Sequence, residues 1–250
     1  MMQGESPAGM IKLGLKWIFV IILIVGMFLM LALLWLARPL EKSAEIINVL
    51  SPSLLIAHAG GAFDGHTYTN GKEALINALD NGFRYIELDL CVTSQGLVCS
   101  HDPDRCGEKP IMTLNEAIQI WKKRPFEFVV DKISAPQILN QYFEINRAHI
   151  YVETFNIGEY RQLKQNGYTP MLSVGGGIRG LLKYVVTSIY CGKVDRIVTY
   201  YQTSEYMLRI YKRLGAKIAV YTVNDISYLR KHIGKDIDMV YTDYLMPSGS

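Results

Sequence analysis

Two histidines and two acids lie close together in this chain, and their residue types could support acid–base chemistry on a bound metal. His58 and His101 each follow a short apolar run, and Glu87 and Asp89 lie between them. Imidazole titrates near neutrality, so one histidine can remove a proton while the other supplies one. Glu87 and Asp89 are two residues apart, which places them on one face of a strand, where they repel each other unless a cation intervenes. These residues predict a metal-assisted hydrolase.

The elements that must position these residues follow from the pattern of apolar segments after residue 53. The predicted strands are 54–58, 84–91, 126–131, 149–153, 169–174, 194–199, 216–221 and 237–242. The predicted helices are 70–81, 113–123, 135–146, 157–166, 178–190, 203–214 and 225–233. Regular alternation of this kind predicts an α/β fold, a (β/α)₈ TIM barrel, with an open doubly wound sheet as the alternative.

Polar residues occur where several of the predicted strands end. In a (β/α)₈ barrel the reacting groups lie at the carboxyl ends of the strands. Five residues fall at or near those ends: His58, Glu87, Asp89, Asp131 and Glu153. We therefore expect the two histidines and the acids to meet at one end of the barrel.

The N-terminal part of the chain has a different composition from the rest. Residues 17–37 carry no charge, and as a helix they would span roughly 31 Å, close to the hydrocarbon core of a bilayer. We predict an N-terminal tail (1–16), a transmembrane helix (17–37), a juxtamembrane linker (38–53) and the barrel (54–247). A cleaved signal peptide is the alternative, although the run is long for one and no clear cleavage site follows it.

The flanking charges do not decide the orientation of this helix, because two basic residues precede it and two follow it. A short tail before a large domain favours a single-pass protein with its barrel outside the cytoplasm, on the periplasmic or extracellular side. The formal net charge of the 250-residue chain is only +3, and its basic residues are dispersed, so nucleic acid is not an expected partner. The oligomeric state is left open.

Four cysteines occur, and their spacing is not that of a zinc site. Cys91 and Cys99 are symmetric about Gln95, so a hairpin centred there would place the two thiols opposite each other. This symmetry suggests a cross-strand disulfide in an oxidising compartment. Two buried free thiols are the alternative.

Six short motifs occur in a fixed order between residues 54 and 247. They are His58-Ala59-Gly60, Thr69-Asn70, Glu87-Leu88-Asp89, the run from Thr93 to His101-Asp102, Tyr221-Thr222-Val223-Asn224, and Thr242-Asp243. Their order and spacing resemble the glycerophosphodiester phosphodiesterase family, TIM-barrel enzymes related to phosphatidylinositol-specific phospholipase C. The resemblance covers nearly the whole globular part of the chain.

The resemblance implies a role for each matching residue. His58 and His101 would be the general acid and base of phosphodiester cleavage. Glu87 and Asp89, with Asp131 as the third acid, would bind a divalent cation, Mg²⁺ or Ca²⁺, because carboxylate oxygens suit hard ions. Four further residues are the expected substrate contacts: Lys132, Glu153, Tyr221 and Asn224.

This chain departs from the family pattern at three places. Ala59 occupies the position of an arginine, which removes one expected phosphate contact. The third acid is Asp131 rather than a glutamate, and Lys132, which directly follows it, would point to the opposite face of a regular strand unless a bulge turned it. The segment from His101 to Thr113 is too short for the insertion that caps many relatives, which implies an open site.

We therefore expect a membrane-anchored, metal-dependent phosphodiesterase. Its substrate would be a glycerophosphodiester, a phospholipid headgroup or a cell-surface phosphodiester, linked to lipid or to glycan. Two other functions fit the same sequence. One is a phospholipase D-like enzyme in which a substrate hydroxyl attacks and a cyclic phosphate forms. The other is a degenerate, non-catalytic barrel that binds a lipid or a protein partner.

Overall fold

The chain forms two separate units, Met1–Pro39 and Leu40–Ser250. The computed structural model describes residues 7–41, 48–94, 96–101, 112–133 and 135–248, with side chains from residue 15 onward. Asp102 of the His101-Asp102 motif and Gln95 at the centre of the predicted hairpin lie outside these ranges, as does Cys106.

The N-terminal unit is one long helix, α1, which runs from Pro7 to Leu36. The part of α1 from Leu15 to Leu36 has 22 residues and a mean hydropathy of 3.1. At about 1.5 Å per residue its length is about 33 Å, enough to cross a bilayer. The helix begins ten residues before the predicted span, so much of the predicted N-terminal tail is helical.

The second unit is a closed barrel of eight parallel strands. The strands, with one antiparallel hairpin strand (β3), are β1 Leu55–Ala57, β2 Tyr85–Thr93, β3 Gly96–Cys99, β4 Glu127–Asp131, β5 Ile150–Thr154, β6 Thr169–Ser173, β7 Arg196–Tyr200, β8 Lys217–Tyr221 and β9 Met239–Thr242. The barrel order is β1-β9-β8-β7-β6-β5-β4-β2, and β2 pairs with β1 to close it. The predicted (β/α)₈ barrel is confirmed, and the open sheet is not formed.

The remaining helices connect the strands of the barrel. They are α2 Lys72–Asp80, α3 Leu114–Lys123, α4 Ile157–Gln165, α5 Ile178–Cys191, α6 Glu205–Arg213 and α7 Ile226–His232. Helix α3 begins with the capping box that its sequence indicates, since Thr113 and Glu116 bond reciprocally to each other's backbone N–H groups.

The predicted helix 135–146 is wrong, because only a short 3₁₀ segment, Pro136–Gln141, forms there. Phe143 instead packs edge to face against Trp121 and Phe128, with ring centroids 5.9 and 5.7 Å apart. Burial of this ring turns the chain towards the core, so the segment does not continue as an α-helix.

The predicted disulfide between Cys91 and Cys99 is also wrong. The β2–β3 hairpin pairs Cys91 with Val98 and Leu90 with Cys99, one residue away from the symmetric register. A shift of one residue moves a side chain to the other face of a strand. Cys99 is accordingly a buried free thiol, whereas Cys91 is disulfide-bonded.

The barrel interior has an apolar layer below its carboxyl end. Its members come from seven of the eight barrel strands: Ile56, Val129, Tyr151, Met171, Val198, Ala219, Met239 and Tyr241. Side chains two residues apart on a strand share a face, so Asp131 lies above Val129 and Glu153 lies above Tyr151. Strand geometry therefore places acids on top of an apolar floor.

Candidate active site

A cavity of about 190 Å³ opens at the carboxyl ends of the barrel strands. Its lining residues come from the strand ends and the loops that follow them: His58, Tyr68, Glu87, Asp89, His101, Asp131, Lys132, Glu153, Phe155, Tyr200, Tyr221, Thr222 and Tyr241. Of the nine residues predicted for the site, eight line this cavity and Asn224 does not.

Three acids converge at the bottom of the cavity. Carboxylate oxygens of Glu87, Asp89 and Asp131 all lie within 4.8 Å of one another. Asp89 and Asp131 are direct neighbours in the register of β2 and β4. Asn70 fixes the orientation of Asp89, because its amide donates to the carboxylate at 2.9 Å and its oxygen accepts from the Asp89 N–H at 2.8 Å.

Glu87 has one carboxylate oxygen bound and one without a partner. Its Oε2 accepts from the N–H of Ala59 at 2.6 Å, while its buried Oε1 has no hydrogen-bond partner among the described residues. Burial, with the charges of Asp89 and Asp131, raises the pKa of Glu87 well above its usual value. Leaving such an acceptor unpaired costs about 1–3 kcal/mol. A divalent cation would satisfy Oε1 and offset the repulsion, so these residues fit the expected ion.

Asp131, Lys132 and Glu153 form the side of the cavity next to this cluster. Lys132 has a φ of 60°, a left-handed conformation that turns its side chain into the cavity at the end of β4. Its Nζ lies 3.9 Å from Oδ2 of Asp131. Burial raises the pKa of Asp131, and burial together with Asp131 raises the pKa of Glu153, which accepts a hydrogen bond from the Tyr241 hydroxyl.

His58 is held in place from behind by Asp243. Its Nδ1 lies 2.9 Å from Oδ1 of Asp243, and Asn224 donates to the other oxygen of Asp243 at 2.9 Å. Burial opposes ionisation of Asp243, but the hydrogen bonds from His58 and Asn224 outweigh it and lower the pKa of Asp243. With Nδ1 engaged in this way, Nε2 is the nitrogen that His58 can offer to a substrate. Asn224 therefore acts on His58 through Asp243 rather than by facing the cavity.

Tyr68 lies between the two histidines and was missed in the sequence. Its ring packs edge to face on both, with centroids 4.7 Å from His58 and 4.7 Å from His101. Tyr68 has a φ of 56°, a conformation that few non-glycine residues adopt. It lies on an irregular loop, where hydrophobic periodicity gives no information about which side chain faces the cavity.

Phe155 and Tyr241 were also missed. Phe155 follows β5 and is exposed at the mouth, whereas Tyr241 is buried within β9 and reaches Glu153 from below. An aromatic residue at a strand end is compatible with core packing as well as with a site, so sequence alone does not separate the two uses.

Several solved structures share this barrel. A glycerophosphodiester phosphodiesterase from Parabacteroides distasonis is 17% identical over 78% of this chain and 94% of its own, with a TM-score of 0.60. An Oleispira antarctica phosphodiesterase, solved with the product sn-glycerol-3-phosphate, is 16% identical over 77% and 93%, with a TM-score of 0.59. A glycerophosphodiester phosphodiesterase from Agrobacterium tumefaciens is 16% identical over 76% and 94%, with a TM-score of 0.51.

These neighbours are glycerophosphodiester phosphodiesterases or phosphodiesterases, in agreement with the resemblance found in the sequence. At such low identity the likeness establishes the fold. No protein-family model and no curated protein matches the chain.

Proposed function

We propose that this protein is a divalent-cation-dependent phosphodiesterase. One observation carries the proposal: three converging carboxylates, two histidines and a lysine line a single cavity at the carboxyl end of the barrel. In barrel enzymes the reacting groups lie at this carboxyl end of the strands. The structural neighbours are phosphodiesterases, one of them solved with sn-glycerol-3-phosphate, which supports a phosphoric diester as the substrate.

Glu87, Asp89 and Asp131 would hold the cation, Mg²⁺ or Ca²⁺. When bound there, the ion would draw charge from the phosphoryl oxygens and stabilise the charge that develops during displacement at phosphorus. Lys132 adds a positive charge at the same wall of the cavity and takes over part of the phosphate binding that an arginine at position 59 would provide. Tyr221 and Glu153 flank the space that remains for the substrate.

The two histidines would move the protons. One removes a proton from the attacking water, whose oxygen forms the new bond to phosphorus. The other donates a proton to the alkoxide oxygen as its bond to phosphorus breaks, so the products are a phosphate monoester and an alcohol. The Asp243 carboxylate beside His58 fixes the orientation of that imidazole and leaves its Nε2 for proton transfer, an arrangement that suits it to either step.

Leaving-group substitution separates the two roles. We expect His58→Ala and His101→Ala each to lower turnover of glycerophosphocholine by about 1,000-fold. A nitrophenyl diester has a leaving group that needs no proton, so it should restore activity in the variant that lost the acid and not in the one that lost the base. Near-wild-type turnover of glycerophosphocholine in both variants would contradict the mechanism.

The same reaction mixtures test the alternative in which a substrate hydroxyl attacks. Phosphorus NMR should show a phosphate monoester as the only product if water attacks. A cyclic phosphate that accumulates before any monoester would favour the phospholipase D-like reaction.

We also propose that α1 anchors the protein in a membrane with its barrel outside the cytoplasm. The disulfide at Cys91 supports this side, because disulfides persist in oxidising compartments. A cysteine introduced at exposed Ile145 should react with a membrane-impermeant maleimide on intact cells. Labelling that requires lysis of the cells would place the barrel in the cytoplasm instead.

A further inference from the structure

The outward face of α5 carries an exposed apolar stripe. We define the α5 stripe as Ile178, Leu182, Val185 and Ile189, whose spacing of four, three and four residues places them on one side of a helix. Their side chains are between 38% and 74% exposed. The opposite side of α5 packs on the barrel through residues such as Leu181 and Tyr184. The stripe is about 17 Å long at the rise of an α-helix.

The stripe begins beside the mouth of the cavity. Lys183, next to Leu182, places its Nζ 5.3 Å from the ring centroid of Phe155, and Phe155 lines the cavity while remaining 63% exposed. Lys183 is fixed there by a 2.9 Å hydrogen bond to the carbonyl of Ser173. Lys183 therefore links Phe155 at the cavity mouth to α5, and we consider Phe155 and the α5 stripe together as one candidate surface.

Basic residues outnumber acidic ones near this surface. From residue 160 to residue 194, which covers most of α4 and all of α5, the chain has no Asp or Glu, and Asp195, just beyond this stretch, pairs with Lys193 at 3.5 Å. The cations in this stretch are Arg161, Lys164, Arg179, Lys183 and Lys193. An apolar helix face flanked by basic residues is typical of helices that lie in the interface of an anionic membrane.

We propose that this surface docks on an anionic phospholipid bilayer and brings the cavity mouth to a membrane lipid. The occupant is a lipid surface rather than a protein because the basic, acid-free stretch complements anionic headgroups and because the chain carries a helix able to hold it at a membrane. The inference rests on the proposed phosphodiesterase function and narrows its substrate to a phosphodiester within a lipid headgroup.

Photocrosslinking of the full-length chain tests the docking directly and without a need for activity. The chain is placed in vesicles of equimolar phosphatidylcholine and phosphatidylglycerol, with benzoylphenylalanine at position 182 or 189. Both positions should yield lipid adducts by mass spectrometry, position 145 should yield none, and position 25 within α1 serves as the positive control. Ile145 is a matched control because it is exposed and apolar but lies between β4 and β5, away from α5.

Adducts at position 25 without any at 182 and 189 would overturn the docking surface. Crosslinks at 182 or 189 to a second copy of the chain would also overturn it, in favour of a dimer.

Kinetics connect the surface to the substrate. Ile189→Asp should lower the ratio of turnover of a vesicle-borne lysophospholipid to turnover of glycerophosphocholine by more than about 10-fold. This factor corresponds to the loss of one large apolar side chain buried in the bilayer. Ile145→Asp should leave that ratio unchanged. An unchanged ratio in Ile189→Asp would contradict the assignment of a lipid substrate.

The failures of the two proposals are distinguishable. Lipid adducts at 182 and 189 in a protein that cleaves no phosphodiester would leave the docking surface intact and refute the phosphodiesterase. Cleavage of glycerophosphocholine without lipid adducts would leave the phosphodiesterase intact and refute the docking surface.

Discussion

The two ends of strand β4 differ in how the charge of an acidic residue is balanced. At the amino end, Glu127 lies between Arg84 at 3.3 Å and His149 at 3.1 Å. At the carboxyl end, Asp131 lies with Glu87 and Asp89, and its nearest cation is Lys132 at 3.9 Å.

This contrast indicates what each end is for. Protein groups balance the charge of Glu127, as expected where an acid contributes to stability. The acids at the carboxyl end exceed the lysine beside them, and an acceptor of Glu87 has no partner within the described part of the chain. Buried like charges are costly unless a proton or a cation neutralises them. These residues therefore favour the bound cation that we propose.

Neutralising one acid at each end of the barrel should give two variants with the largest expected difference in ion affinity. Glu87→Gln removes a proposed ligand and should weaken Mg²⁺ or Ca²⁺ binding by more than about 100-fold, as measured by isothermal titration calorimetry. Turnover should fall at least as far. Glu127→Gln is the matched control, and its ion affinity should equal that of the wild type. Equal losses in both variants would show that the carboxyl end has no special role.

Removal of Tyr68 should have a smaller effect, at the carboxyl end only. Tyr68→Ala frees both histidine rings from their edge-to-face contacts, and turnover should fall by about 10-fold, consistent with aromatic pairs worth about 0.5–1.5 kcal/mol each. Tyr68→Phe keeps the ring and should retain most of the activity. If the Phe variant loses as much as the Ala variant, the hydroxyl takes part in the reaction and the packing account is incorrect.

The same two variants should change the stability of the protein in opposite directions. Glu127→Gln weakens contacts to Arg84 and His149, whose side chains are largely exposed, and should lower the free energy of unfolding by about 1 kcal/mol. In the ion-free protein, Glu87→Gln removes repulsion from Asp89 and Asp131 and should raise the free energy of unfolding. Denaturant unfolding in detergent measures both, and a loss of stability in ion-free Glu87→Gln would contradict the charge argument.

The smallest expected effect is a pH dependence from Asp243. Because its folded-state pKa is lowered, its contribution to stability is fully present above the unfolded value of about 3.9 and is lost as the pH falls through the folded value. Wild-type stability should therefore fall more steeply below about pH 4 than that of Asp243→Asn. Parallel profiles in acid-induced unfolding would show that Asp243 gains nothing from His58 and Asn224.

Much of the barrel could be predicted from the regular alternation of apolar strands with helical segments, and the acid cluster from the positions of its acids along those strands. Glu87, Asp89 and Asp131 fall at strand ends, and strands in a closed barrel must bring those ends together. The prediction of a helix at 135–146 was wrong because burial of Phe143 overrode local helical periodicity. The prediction of a Cys91–Cys99 disulfide was wrong because a hairpin register depends on pairing across strands, which a symmetric spacing does not determine.

The backbone conformations that bring some residues into the site could not be predicted, because they lie on loops or depend on single dihedral angles. Lys132 enters the cavity through one left-handed residue, and Tyr68 reaches both histidines from a turn with a positive φ. Neither conformation leaves a periodic pattern in the sequence. Asn224 is bound through its amide group to Asp243 and Thr242 and does not line the cavity, so its contact with substrate stays a prediction.

Turnover with and without a divalent ion is the decisive test of a cation-dependent phosphodiesterase. The full-length protein is stripped with EDTA, and hydrolysis of glycerophosphocholine is followed before and after Mg²⁺ or Ca²⁺ is added. We expect no turnover in the stripped protein and recovery with at least one ion, with glycerol phosphate or phosphocholine as the monoester product. Undiminished turnover in EDTA, or no turnover with either ion, would contradict the proposed function.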